Sequence, residues 1–121
     1  MKNKSMNYIE VPSLSLEKTK AFFSSVFNWS FTDYGPEYTA FTLDNIDGGF
    51  YHSDKASNAA LGAALPVFYS DDLNSIKNEI CRAGGQITVN IFAFPGGYRF
   101  HFREPGGSEF AVWSENYEET Q

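Results

Sequence analysis

The chain has 121 residues, enough for one domain with a real core and too few for two ordinary ones. Fifteen acidic against 9 basic residues leave a net charge of −6, so no continuous basic surface is available for a phosphate backbone and no nucleic acid partner is expected. Aromatic residues make up 17%, with 12 Phe and 7 Tyr, more ring area than a small core uses, so some rings are expected to line a cavity or an interface. Lys2 and Lys4 are followed by no apolar run of signal or membrane-spanning length, and the expectation is a cytoplasmic protein with no membrane partner. Cys81 stands alone without a disulfide or CxxC partner and is expected to fill space on a helix.

Tyr8 to Pro12 reads as a short strand, and Ser15 sits where a helix N-cap is wanted. In the helix that follows, to Phe27, Leu16, Phe23, Val26 and Phe27 fall on one stripe. After Asn28 come three strand-like pieces, Trp29 to Asp33, Tyr38 to Leu43 and Gly49 to His52, broken by Gly35-Pro36 and by residues 44–48. Ser53 to Ala60 is small and polar, as a linker is. The order then repeats. Leu65 to Tyr69 is a strand, Asp72 caps a helix with Leu73, Ile76, Ile80 and Ala83 on its stripe, and Gly84-Gly85 ends it. Strands follow near Gln86 to Ile91, Gly97 to Arg103 and Glu109 to Ser114, the last two joined by the turn Glu104-Pro105-Gly106-Gly107. The fold class is therefore α+β, two βαβββ modules in a single domain, with module one at about 6–54 and module two at about 63–115.

A helix on one face of each sheet leaves the opposite faces to form a cupped mixed sheet around a cleft. Strand alternation assigns Phe100 and Phe102 to the helix side and Arg99, His101 and Arg103 to the cleft. The same parity sends Tyr8, Glu10, Phe50, His52, Leu65, Val67, Tyr69, Glu109, Ala111 and Trp113 to the cleft, and a one-residue slip would invert any strand's assignment.

Taken together, Tyr8-Ile9-Glu10-Val11-Pro12, the helix from Leu16 through Phe23 to Phe27-Asn28-Trp29, Asp71-Asp72-Leu73 through Ala83-Gly84-Gly85, and the C-terminal hairpin resemble the vicinal oxygen chelate superfamily. That superfamily includes glyoxalase I, bleomycin-resistance proteins, fosfomycin-resistance enzymes and extradiol dioxygenases. The resemblance covers almost the whole chain and implies paired modules, a cupped sheet enclosing the site, and frequently a homodimer. It also implies metal ligands early in the first strand of each module, usually His, and in the last strand, usually Glu. Those positions correspond here to Tyr8 and Leu65, and to Ala111 with about Phe50 as its first-module counterpart. Leu, Ala and Phe offer no donor to a divalent cation and a neutral Tyr is a poor one, so neither metal nor other cofactor is expected. A shifted set drawn from Glu10, His52, His101 and Glu109 is the alternative, and would make a metal-dependent lyase, isomerase or dioxygenase.

Arg99 and Arg103 are either an anion clamp or the partners of Glu10, Glu104 or Glu109 in a structural network. His101, between two guanidinium groups, is biased toward its neutral form and is a candidate proton acceptor, or simply a hydrogen-bonded residue of a polar sheet face. Glu10 is a candidate general base or a salt-bridge partner, and His52 a candidate rim residue. Tyr8, Phe50, Tyr69 and Trp113 are candidate apolar walls for a flat ligand, or ordinary packing. The expectation is a small, anionic or aromatic molecule bound in the cleft of a homodimer. The alternative to any ligand site is an interaction module whose cleft has closed.

Overall fold

The computed structural model describes residues 1–118. Strand β1 (Tyr8–Ser13) leads into helix α1 (Leu16–Phe27), and β2 (Thr32–Asp33), β3 (Tyr38–Thr42) and β4 (Asp47–His52) complete the first unit. After a 3-10 turn at Ala59–Leu61 the second unit runs through β5 (Val67–Tyr69), α2 (Leu73–Arg82), β6 (Gln86–Phe94), β7 (Gly97–Arg103) and β8 (Glu109–Ser114). Two four-stranded sheets result, ordered β1-β4-β3-β2 and β5-β8-β7-β6, each with one parallel pair at its β1 or β5 edge and antiparallel pairs elsewhere. The order β, α, β, β, β occurs twice, as the internal repeat requires.

Both helices start where capping chemistry places them. The Ser15 hydroxyl accepts the Lys18 N–H and the Asp72 carboxylate accepts the Ser75 N–H, each supplying an acceptor to a donor that the first turn leaves orphaned. On α2 Leu73 and Ile80 are buried with Ile76 and Ala83 packed against the core, whereas Cys81 points away and is exposed, not the space filler expected.

The buried face of α1 is wider than its sequence stripe. Phe22 and Thr19 are buried beside Phe23, because α1 lies against both sheets: Phe22 packs on Phe102, while the Phe23 ring meets Phe50 of the first sheet and Phe110 of the second. One core therefore serves both modules. It also explains why β2 is shorter than expected. Trp29 stacks between Phe23 at 4.7 Å and Phe41 at 4.3 Å, so Trp29 and Phe31 turn toward the core and only Thr32–Asp33 pair with β3.

Two bounds in the second module also differ from the sequence pattern. Leu65 lies outside β5, while Pro66, one residue before that strand, offers only its carbonyl, to the Ala111 N–H. In the other direction β6 runs on to Phe94, with register shifts between Ile87 and Val89 and between Val89 and Phe92. The segment read as a linker is tied down, since Ser57 donates to the Ser108 hydroxyl and accepts the Glu109 N–H.

The β7–β8 turn docks on the first module through a buried carboxylate. Glu104, 1% exposed, accepts from the Thr19 hydroxyl at 2.9 and 3.1 Å and from the Gly106 N–H; the Ser13 hydroxyl in turn donates to Thr19 at 2.6 Å. Burial pushes the Glu104 carboxyl up, against the pull of these hydrogen bonds. A Cβ at Gly106 would collide with both hydroxyls, so only glycine allows the turn to approach this closely. Glu104 is thus no partner of the arginines.

Candidate functional site

Each sheet turns one face away from the shared core, and pairing register decides which residues stand on it. In the first sheet Glu10 is level with Gly49, and Tyr38 with Tyr51, so Tyr8, Glu10, Tyr38, Gly49 and Tyr51 share the open face. Phe50, level with Val11, points the other way and is fully buried. The parity that put Phe50 and His52 beside Tyr8 and Glu10 is therefore out by one residue. The first-module counterpart of Ala111, which is level with Val67, is Gly49. Its missing side chain leaves room for the Tyr38 hydroxyl, which occupies the space a Cβ would need.

That hydroxyl organises the first open face. It donates to the Glu10 carboxylate at 3.0 Å and receives the Tyr8 hydroxyl. Burial, reinforced by Tyr8 and by the Glu10 charge, pushes the Tyr38 phenol far up, so it remains a donor. Glu10 accordingly pairs with a tyrosine and with no arginine. His52 ends β4 exposed, its Nδ1 3.8 Å from Glu37.

The second open face follows the expected parity. Arg99, His101 and Arg103 of β7 stand beside Trp113, Ala111 and Glu109 of β8, and Val67 and Tyr69 of β5 are level with Ala111 and Trp113. Glu109 is 6% exposed and hydrogen-bonded through both oxygens: it accepts the Ala59 N–H at 2.9 Å and the Thr88 hydroxyl at 2.8 Å. Burial pushes its carboxyl up, but these donors and the His101 and Arg103 charges outweigh burial and hold it below the usual range. His101 presents Nδ1 to Glu109 at 3.8 Å, too long for a hydrogen bond, and its Nε2 accepts from Nε and Nη2 of Arg99 at 3.2 and 3.0 Å. Burial first, then the Arg99 charge, pushes the imidazole down, and Glu109 only partly opposes them.

The two guanidinium groups have no carboxylate within ion-pair distance among the described residues. Arg99 lies over the Phe92 and Phe94 rings, 5.8 and 5.6 Å from their centroids. Arg103 forms no hydrogen bond there, and its one resolved electrostatic influence is on Glu109. The structural network weighed for the arginines is therefore absent among the described residues. Phe94, which lines a hollow beside Arg99, and Phe92, whose ring also lies under that guanidinium, lie beyond Ile91, where the sequence reading ended their strand.

Between the modules lies an apolar cavity of about 430 Å³, bordered by Val11, Phe50, Phe68, Tyr69, Phe110 and Trp113 among others. Phe50 thus reaches a cavity after all, but from the core side. A smaller hollow of about 270 Å³, lined by Val67, Phe94, Gly96, Arg99 and Trp113, adjoins it across Val67 and Trp113. Trp113 is held edge-on to Tyr69 at 5.0 Å and to Phe94 at 6.1 Å. Of the residues expected in the cleft, Phe50 and Tyr69 border the larger cavity, Arg99 the smaller hollow, and Val67 and Trp113 both; Tyr8, Glu10, His52, His101 and Arg103 border neither.

No set of three His, Cys, Asp or Glu side chains among the described residues is placed to hold a metal ion. The shifted ligand set does not assemble: His101 and Glu109 share the second sheet, while Glu10 and His52 lie on opposite faces of the first. The residues therefore do not fit the metal centre the resemblance implies.

Residues 5–112 match the family model described as the glyoxalase/bleomycin resistance protein/dioxygenase superfamily. No curated protein matches the chain in sequence. Among solved structures, a glyoxalase/bleomycin resistance protein/dioxygenase family enzyme from Burkholderia phytofirmans superposes with a TM-score of 0.71 at 13% identity, covering 88% of this chain and 94% of its own. The lactoylglutathione lyase of Agrobacterium tumefaciens gives 0.67 at 16%, covering 94% and 96%. An integron cassette protein of V. cholerae gives 0.64 at 19%, covering 94% and 97%. At these identities the likeness is one of fold.

Proposed function

Since the chain belongs to the glyoxalase/bleomycin resistance protein/dioxygenase superfamily, we propose that it binds a small amphipathic anion between its two modules, without a metal of its own. The observation that carries this reading is that the two hollows meet at Val67 and Trp113: an apolar cavity lies beside a guanidinium that has no carboxylate partner among the described residues. Apolar walls supply burial for a ring or chain, and the planar Arg99 fork supplies a directional partner for a carboxylate or phosphate. Ligand positions occupied by Ala111, Gly49 and Leu65 support the metal-free part, because none offers a donor atom from its side chain.

The test is titration calorimetry with 3-phenylpropionate and its neutral amide. The acid is expected to bind more tightly than the amide, and Arg99→Ala to erase the difference, about 1 to 3 kcal/mol, the scale of a hydrogen bond to a charged group. Equal binding of acid and amide would refute the anionic half of the proposal, and binding of neither would refute all of it.

The homodimer is a second proposal, supported by exposed aromatic side chains on both open faces. Tyr8 and Tyr51 stand on the first, Tyr69 and Phe92 on the second, each at least 38% exposed. Glu10 on one face and Arg99 and Arg103 on the other, which form no ion pair among the described residues, are complementary in charge, so a second copy suits both. Sedimentation at micromolar concentration reads it directly, a monomer at all concentrations being the contrary result.

A further inference from the structure

We propose that Arg99 exchanges partners on ligand binding: an anionic group entering beside Phe94 and Trp113 takes the guanidinium from His101, and the freed imidazole takes up a proton from solvent. This rests on the anion reading of the same site. Both Nε and Nη2 of Arg99 are aimed at one ring nitrogen, His101 Nε2. An acceptor there must be unprotonated, so the ring is neutral and carries its proton on Nδ1, the nitrogen turned toward Glu109. A neutral imidazole is a poor partner for a guanidinium. A carboxylate takes two parallel, charge-assisted hydrogen bonds from the same fork, and Arg99 already borders the hollow that such a group would enter. Phe92 and Phe94 beneath the guanidinium give it a surface to slide on without losing its cation–π contact.

The charges around His101 make the exchange proton-coupled. Facing it are Arg99 and Arg103 from its own strand and Glu109 from β8, while β6 contributes the uncharged Phe92 ring at a 5.8 Å centroid distance. With Arg99 in place, burial and a neighbouring cation both disfavour the imidazolium. With Arg99 neutralised by the ligand, Nε2 is open and the ionised Glu109 becomes the nearer influence, favouring protonation. One proton moves from solvent to Nε2, and no other bond is made or broken.

Two measurements test this. The first needs no ligand: the His101 ring is followed by NMR against pH, with exposed His52 as internal reference, in the wild type and in Arg99→Leu. The titration midpoint of His101 is expected to rise in the variant, and an unchanged midpoint overturns the proposal. The second is calorimetry with 3-phenylpropionate near about pH 6 in buffers of different ionisation enthalpy, where the wild type is expected to take up a fraction of a proton per ligand and His101→Gln none. Binding without uptake, and without movement of the His101 midpoint, overturns the exchange while leaving the anion site standing. Absence of any binding overturns both, and is told apart by that fact.

Discussion

Arg99 and Arg103 are four positions apart on one strand face, yet of the two only Arg99 borders the smaller hollow, and this difference separates them on the proposed reading. Arg99→Ala is expected to weaken 3-phenylpropionate binding by about 1 to 3 kcal/mol, and Arg103→Ala by clearly less, measured by calorimetry. Phe102→Ala, by contrast, should leave the site chemistry alone and cost stability, about 3 to 5 kcal/mol in urea unfolding, because Phe102 is fully buried against Phe22 and Phe110. If Arg103→Ala abolishes binding while Arg99→Ala does not, the ligand lies deeper over β7 than the cavity suggests. Face assignment from alternation succeeded wherever a strand's polar and aromatic residues alternate cleanly, as in Arg99 to Arg103. It failed at Phe50. There Asp47-Gly48-Gly49 carries no pattern to fix parity, and only pairing with β1 shows that Phe50 follows Val11 into the core.

At the scale of elements, the joint between the β7–β8 turn and α1 is what makes two modules one body. The caps Ser15 and Asp72, the helix stripes and the turn glycines were legible locally. The carboxylate latch from Glu104 to Thr19 and Ser13 was not, since it joins residues 85 apart and depends on Gly106 admitting the approach. The same non-local packing widened the buried face of α1 and shortened β2. Because burial raises the folded-state pKa of Glu104 above its unfolded value, this group favours folding most when protonated, and its contribution falls as pH rises through the window above the ordinary carboxyl range. Glu109 runs the other way. Its folded pKa is depressed, so its contribution is present above the unfolded value and is lost as pH drops through the folded one. Replacing Glu104 with Gln removes only the first trend. Whatever constant cost the amide brings, the stability of Glu104→Gln relative to wild type is therefore expected to improve between pH 4.5 and pH 7 in urea titrations. A relative stability that is flat or worsens over that range would mean the carboxyl is ionised in the fold at no cost.

For the whole molecule, the fold leaves open two sheet faces of unlike chemistry, tyrosines with a carboxylate on one and arginines with a histidine on the other, over one aromatic core. Two halves that share an architecture but differ in this way do not offer symmetric donors to a shared metal. The ligand positions that the resemblance implies hold Tyr8 and Gly49 in the first module and Leu65 and Ala111 in the second, and only Tyr8 of the four carries a donor atom, its hydroxyl already given to Tyr38. Folded protein prepared with zinc, nickel, manganese or ferrous iron is therefore expected to retain none stoichiometrically. Its melting temperature should not move with chelator, because a resident ion would stabilise the fold by mass action. Lactoylglutathione lyase activity is expected to be undetectable for the same reason, since polarising the vicinal oxygens of the substrate takes a metal in this superfamily. The decisive arrangement is to assay activity and metal content on one preparation. One equivalent of tightly held metal, lost on replacing His52 and His101, would show that a second copy completes a centre that one chain does not. Turnover that survives exhaustive chelation would instead show that the cavity itself performs the chemistry.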